Sequence, residues 1–471
     1  MRIVTGRVYP RKDYITAGLV LLVLSLSVVL AVTFTEHLST ILVGLVAIGV
    51  AIMLLRMPEV TLVLYLSSSD LWKPLFITKY SVYPITGVWT FETVPYSEWL
   101  TPALLVLTVL GIMRRRFLWK CPPAYVTMPL SLFLLLLTMS LIWSPGPRFG
   151  LEDLSRLLFL DVSTFYMAYT ISRQGYRETR KLLLFYSIVG IIYAIGANIN
   201  ILLTALGASS SVYGWSSQLF PGSWLNPARY LVACLMILFA LLPTIRNRWR
   251  KLTYLACVVL AAAVVTLNAR TTLLSMLVSS LVVVLLAFWT LRKEASGRLI
   301  FAVLTSALFL WLLITRAPDV ERFLSRYWAA IEYGEGLDKR WAHFQRFLGL
   351  FWDSPLIGHG IGGWRALTES PHPHNMILEV LFATGIIGLI MWFLFITRIW
   401  LTGVRPLFLR ALPFDHRLLT LAAIGGALNG LIVSMANGGF VDWRQQWFFW
   451  GIMIALAKLA AYRSRSFLED R

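Results

Sequence analysis

Four of the six histidines, His343, His359, His372 and His374, fall within residues 316–375. His374 is followed by Asn375 and then by the apolar run Met376-Ile377-Leu378-Glu379-Val380-Leu381-Phe382-Ala383-Thr384-Gly385, so it lies just before a helix. An imidazole with an unperturbed pKa near 6.5 takes a proton from a hydroxyl at ordinary pH, which makes His374 a candidate general base. The alternatives are a structural histidine and a metal ligand in His372-Pro373-His374, although no spaced carboxylate–histidine set accompanies that triplet. Gly385 and Gly388 stand three apart on one helical face, where they are expected to let a neighbouring helix approach and fix the helix that bears His374 at its mouth.

Arginine supplies the other candidate chemistry. Arg270 interrupts the otherwise apolar stretch 252–290 close to its midpoint, which puts it at the turn of a helical hairpin. It is either an anion-binding guanidinium or an interfacial side chain that snorkels to water. Arg340 lies in the charged segment 316–375, and Arg156 and Arg229 fall near helix ends, where they could join a basic pocket for phosphate or acidic sugars. Gly358-His359-Gly360-Ile361-Gly362-Gly363 could cradle an anion on successive N–H groups. It lacks the GxxxxGK[ST] spacing, and a simple turn fits better.

The elements that must position these residues are membrane spans. Of 471 residues 58% are hydrophobic and only 14% are charged, against roughly 25% charged in soluble chains. A soluble enzyme and a disordered scaffold are therefore both excluded. A spanning helix needs about 20 apolar residues, and the chain offers about fourteen such runs, with twelve the lower count. They cover 14–34, 38–55, 57–72, 98–113, 122–143, 151–171, 182–206, 229–245, 252–268, 271–290, 299–315, 376–397, 418–435 and 448–462, the third being the weakest. The expected fold is an all-α polytopic membrane protein forming one integral membrane domain over 1–471.

The net charge of +19 suggests nucleic acid until the basic residues are placed. With the N-terminus in the cytoplasm, 28 of the 42 Lys and Arg but only 7 of the 23 acids lie in cytoplasmic segments, so the charge reports topology and needs no nucleic acid. Both termini are then cytoplasmic and 316–375 is a long outer loop. Two amphipathic stripes in that loop, Val320 to Ile331 and Trp341, Phe344, Phe347, Leu348 and Phe351, predict helices that rest in the headgroup layer or pack on the bundle. The first run follows Arg2, Arg7, Arg11 and Lys12 without a small-residue cleavage pattern, so an uncleaved first helix is expected. Cys121, Cys234 and Cys257 form no CxxC pair and read as buried, inert thiols. The runs are almost free of charge, Asp161 being the clearest exception, which argues against an ion-coupled transporter.

His374, Asn375, Gly385 and Gly388 fit every specified position of the pattern His-[Asn/Ser/Gln]-nine residues-Gly-two residues-[Gly/Thr/Tyr]. By that pattern the chain resembles the O-antigen ligase and polysaccharide polymerase superfamily of bacterial envelopes. A second similar stretch runs from Arg340-Trp341 through Trp352-Asp353-Ser354-Pro355-Leu356-Ile357-Gly358-His359-Gly360. A third is Asn268-Ala269-Arg270, with Ala269 where family members often carry Ser. The resemblance covers about 220–400, the expected core of the enzyme.

It implies an inverting, metal-independent glycosyltransferase on the outer face of the cytoplasmic membrane, with no cofactor and a glycan on undecaprenyl pyrophosphate as donor. His374 would activate the acceptor hydroxyl, Arg270 and Arg340 would hold the pyrophosphate, and Asn375, Arg156, Arg229 and His372 would support them. Guanidinium groups suit that task without a metal, because they give bidentate, always-charged support to the departing oxygens. The acceptor is a second lipid-linked glycan for a polymerase, with a chain-length regulator as partner, or a lipid A core for a ligase. About fourteen spans and no readable acceptor determinant favour the polymerase. A lipid-linked glycan flippase is the alternative of a different class.

Overall fold

The computed structural model describes residues 49–68, 96–115, 121–205, 225–245, 247–266, 270–291, 337–368, 375–409, 412–437 and 444–469, with a few isolated positions besides. Among these residues the regular structure is helical throughout and contains no strand. The elements are α1 (Pro58–Ser67), α2 (Tyr96–Arg114), α3 (Ala124–Ser140), α4 (Pro147–Arg156), α5 (Ser163–Ser172), α6 (Tyr176–Ala205) and α7 (Leu225–Leu241). They continue as α8 (Asn247–Thr266), α9 (Arg270–Thr290), α10 (Leu337–Phe351), α11 (Gly363–Thr368), α12 (Met376–Phe408), α13 (Phe414–Asn437) and α14 (Arg444–Glu469).

Among the described residues five stretches are long and apolar enough to cross a membrane: Tyr176–Ile199, Pro227–Thr244, Thr271–Thr290, Met376–Phe408 and Phe414–Ala436. The chain is therefore a polytopic membrane protein. The expected fourteen spans are not reached among the described residues, for identifiable reasons. The run 151–171 lies on one continuous helical path in which a π turn at Leu157–Val162 joins α4 to α5, so it enters as three short elements. In the described part of the weak third run, α1 has ten residues, which rise about 15 Å, half of a bilayer core of about 30 Å, and residues 69–72 lie outside the described residues. Basic residues shorten the apolar part of α8 (Arg248, Arg250, Lys251) and of α14 (Lys458, Arg463). The runs 14–34 and 299–315 lie largely or wholly outside the described residues, as does the first amphipathic stripe.

The bundle is ordered by how apolar each helix is on all sides. α7 and α13 are buried around most of their circumference and pack on each other, α9 leans on α13, and α12 and α14 pack on α13 and on one another. Trp392 of α12 and Trp447 and Trp450 of α14 are fully enclosed, with ring centroids 5.2 to 6.0 Å apart, and Phe133 of α3 and Phe165 of α5 close around them. Outer helices keep an apolar stripe exposed: Ile188, Ile192, Ile195 and Ile199 on α6, and Leu274, Leu277, Leu281, Leu285 and Phe288 on α9. That i, i+3/i+4 exposure of large aliphatics is the surface a helix turns to lipid. Asp161, in the π turn, is fully buried in the bundle wall. Cys234 and Cys257 are buried as expected, whereas Cys121, just before α3, is exposed.

Candidate functional site

Asn375 is the N-cap of α12. Its Oδ1 accepts from the N–H groups of Ile377 and Leu378 at 2.9 and 3.1 Å, and its Nδ2 donates to the Met435 carbonyl of α13 at 2.8 Å. One side chain thereby satisfies two of the four orphan donors at a helix start and pins that start to the end of α13. The next acidic residue inward, Glu379, accepts from the Phe440 N–H at 2.8 Å and favours the same helix start electrostatically. His374 and His372 lie outside the described residues, so the Asn375 cap defines where the chain stands one residue beyond His374.

α12 runs for 33 residues, about 50 Å if straight, longer than a hydrocarbon core of about 30 Å. It is broken at Gly385, whose φ of 62° and ψ of −165° belong to a region essentially reserved for glycine. In an unbroken helix the N–H groups of Ile386 and Ile387 would bond to the carbonyls of Phe382 and Ala383. They donate instead to the Pro355 and Leu356 carbonyls at 3.0 and 3.2 Å, while the Phe382 and Ala383 carbonyls accept from His359 and Gly360 at 2.8 and 3.0 Å. The glycine loop is thus spliced into the helix, and four bonds replace two.

This corrects the expected role of Gly385 and Gly388. Among the described residues, the atoms nearest to a Cβ added at either glycine belong to the loop or to Thr384 and not to a second helix. A Cβ on Gly385 would fall 2.2 Å from the Leu356 carbonyl oxygen of the loop, and one on Gly388 would fall 2.1 Å from the Cβ of Thr384 across the bend. Both glycines serve the break, one by its dihedral angles and one by leaving room for Thr384.

The loop is held from its other side by the end of α3 and the turn that follows it. The Ile361 N–H donates to Ser140 Oγ at 3.0 Å, Ser144 Oγ donates to the Ile361 carbonyl at 2.8 Å, and Trp143 Nε1 donates to the Gly358 carbonyl at 3.2 Å. Gly358, Gly360 and Gly362 all have φ between 70° and 82°, and a Cβ on any of them would strike backbone. Since the N–H groups of Gly358, His359, Gly360, Ile361 and Gly363 are all engaged within the protein, the segment is a turn and not an anion cradle. His359 is structural: its Nε2 donates to the Leu350 carbonyl at 2.7 Å and its ring stacks on Phe382 at 4.7 Å.

Arg340 lies in the first turn of α10, the second amphipathic stripe. This helix docks on the bundle through Phe347, which is buried against Phe382 and Trp364, and leaves Trp341 and Leu348 outward. Arg270 is the first residue of α9. Five residues on, Ser275 Oγ donates to Asn429 Oδ1 of α13 at 2.7 Å, and Asn429 Nδ2 donates to the Arg229 carbonyl of α7 at 3.0 Å. Asn429 and Met435 are about 9 Å apart along α13. The starts of α7, α9 and α12, and with them Arg229, Arg270 and Asn375, therefore gather at one end of the bundle around the end of α13.

The Arg229 side chain is buried in the helix packing, 7% exposed. Arg156 is half-exposed and pairs with Glu152 on its own helix, which also binds Arg365 at 3.4 Å. Arg365 stacks on Phe149 at 4.4 Å, so these two arginines serve a surface network at the glycine loop. Sequence reasoning missed Glu379 and Arg365. The signal for Glu379 was an acid in the first turn of a helix capped by Asn; for Arg365 there was none before its partner across the loop was known.

A helical membrane bundle with a capped helix mouth, a basic helix start beside it and a glycine loop locked into a broken helix is the class defined by the fold and the site. Residues 255–393 match the family model described as O-Antigen ligase. Over this segment, 139 of its 471 residues, the chain is similar to O-antigen ligases. The matched segment takes in Arg270, Arg340, His374, Asn375, Gly385 and Gly388 and leaves out Arg156 and Arg229. A search among curated proteins gives no match.

Proposed function

We propose that the chain is an inverting, metal-independent glycosyltransferase that polymerises glycans carried on undecaprenyl pyrophosphate at the outer face of the cytoplasmic membrane. The observation that carries this reading is the family match, which encloses the candidate base and both candidate clamps in one domain. The Asn375 cap supports it, because it fixes the helix mouth next to His374 against the end of α13. In the proposed reaction His374 removes the proton of an acceptor hydroxyl, whose oxygen attacks the anomeric carbon of the donor sugar. The bond from that carbon to the pyrophosphate oxygen breaks with inversion, and the lipid pyrophosphate leaves. Arg270 and Arg340 neutralise the charge that builds on the departing oxygens, where a guanidinium offers two aligned donors.

Transfer to a lipid A core is the second reading, favoured by the family description itself. Purified protein reconstituted with lipid-linked glycan extracted from producing cells separates the readings. Ladders of glycan on the lipid carrier support a polymerase, and modification of added lipid A core supports a ligase. Movement of the donor across the membrane with no new glycosidic bond would refute both and leave a flippase.

A further inference from the structure

At the end of the bundle opposite Asn375, where α6 and α13 begin and α7 ends, lies a cavity of about 250 Å³ lined by Tyr176, Arg177, Arg180, Leu241, Asp415 and Leu419. It is far larger than the roughly 10–15 Å³ that one water requires. Tyr176 is held on both sides, with the Arg463 guanidinium 4.4 Å from its ring centroid and the His416 ring 4.3 Å away. Its Oη is nevertheless buried with no hydrogen-bond partner among the described residues. A buried hydroxyl without an acceptor beside two guanidinium groups in a concave site asks for an anion with several acceptor oxygens.

The charges select the kind of anion. Arg177, Arg180 and the Arg463 guanidinium on Tyr176 exceed Asp415 by two positive charges, so the site favours an anion over a zwitterion. Asp415 repels a dianionic phosphate monoester more strongly than a monoanionic phosphodiester. Asp415 offers an acceptor for a headgroup hydroxyl, and Leu241 and Leu419 give an apolar wall for its carbon atoms. We propose that this cavity binds the headgroup of an anionic phospholipid of the phosphatidylglycerol class, with Arg177, Arg180 and Tyr176 on the phosphate and Asp415 on the glycerol hydroxyl. The site sits at the end of the bundle that carries the basic segments 173–181 and 398–417, where basic pockets between spanning helices meet lipid phosphates. It is separate from the Asn375 end and independent of the glycosyl-transfer reading.

The test is thermal unfolding of the purified full chain in an uncharged detergent, titrated with dihexanoyl phosphatidylglycerol, phosphatidylcholine, phosphatidic acid or inorganic phosphate. Phosphatidylglycerol is expected to raise Tm more than the other three. Arg177→Gln with Arg180→Gln should weaken its apparent affinity at least about tenfold. Tyr176→Phe removes a hydroxyl that has no protein partner, so it should leave the lipid-free Tm unchanged and still weaken phosphatidylglycerol several-fold, which keeps the proposal testable if the double variant does not fold. Asp415→Asn should shift preference toward phosphatidic acid. Equal shifts with phosphatidylcholine, or unaltered affinity in Tyr176→Phe, would overturn the proposal. A full shift with inorganic phosphate alone would replace the lipid with a free phosphate ligand.

Discussion

Replacing Gly385 with alanine tests the spliced helix. The dihedral angles at this position cost a residue with a Cβ about 1–3 kcal/mol. The added Cβ would also lie 2.2 Å from the Leu356 oxygen and 2.5 Å from the Ile357 nitrogen, so the loop backbone must withdraw. Withdrawal breaks the Ile386 and Ile387 bonds to the Pro355 and Leu356 carbonyls, each worth about 1 kcal/mol. The sum is about 3–5 kcal/mol, roughly two to four orders of magnitude in the folded-to-unfolded ratio. Gly349→Ala is the control: it is helical, nothing lies within 4 Å of its added Cβ, and it should gain about 0.5–1 kcal/mol. The assay is the unfolding midpoint in mixed micelles, or the inactivation half-life at fixed temperature where unfolding is irreversible. If Gly385→Ala proved as stable as Gly349→Ala, the loop would not be locked into the break and the account of the helix mouth would fail.

Three further outcomes are expected. Asn375→Ala removes the two cap bonds and the bond to Met435, so stability should fall by about 1.5–3 kcal/mol in the same unfolding assay, while Asn375→Ser, which keeps a capping oxygen, should recover about 1 kcal/mol of it. Arg270→Lys keeps the charge but loses the planar fork and should lower transfer at least about tenfold; wild-type turnover in purified protein would reduce Arg270 to an interfacial anchor. A single cysteine at position 336, in a chain otherwise free of cysteine, should react with an impermeant maleimide in intact cells, and labelling only after permeabilisation would invert the topology.

Helix positions were legible wherever an apolar run was long and ended on a charged or turn residue. The spans expected at 271–290 and 418–435 correspond to α9 and α13, and the segment 98–113 to α2. The division of 376–408 was not legible, because two glycines in an apolar helix look alike whether they admit a neighbouring helix or mark a break. Only the partner carbonyls of Pro355 and Leu356, some thirty residues upstream, distinguish the cases. The π turn around Asp161 has no sequence signature, since it follows from packing: Tyr65 donates to the Leu160 carbonyl at 3.1 Å. At the site, Asn375 was read only as part of a family pattern; that it caps α12 emerges from the structure and supplies a physical reason for the pattern. Burial of Arg229 could not be foreseen, because its neighbours come from α9 and α13, far away in sequence.

The most direct measurement of the central claim is transfer by His374→Ala in reconstituted membranes, with binding of the lipid-linked donor measured in parallel. A positioned base contributes typically 10²–10⁴-fold, so transfer should fall by about that factor while donor binding, assigned to arginines, persists. His372→Ala, outside the matched pattern, should lose much less. Full transfer by His374→Ala would contradict the account.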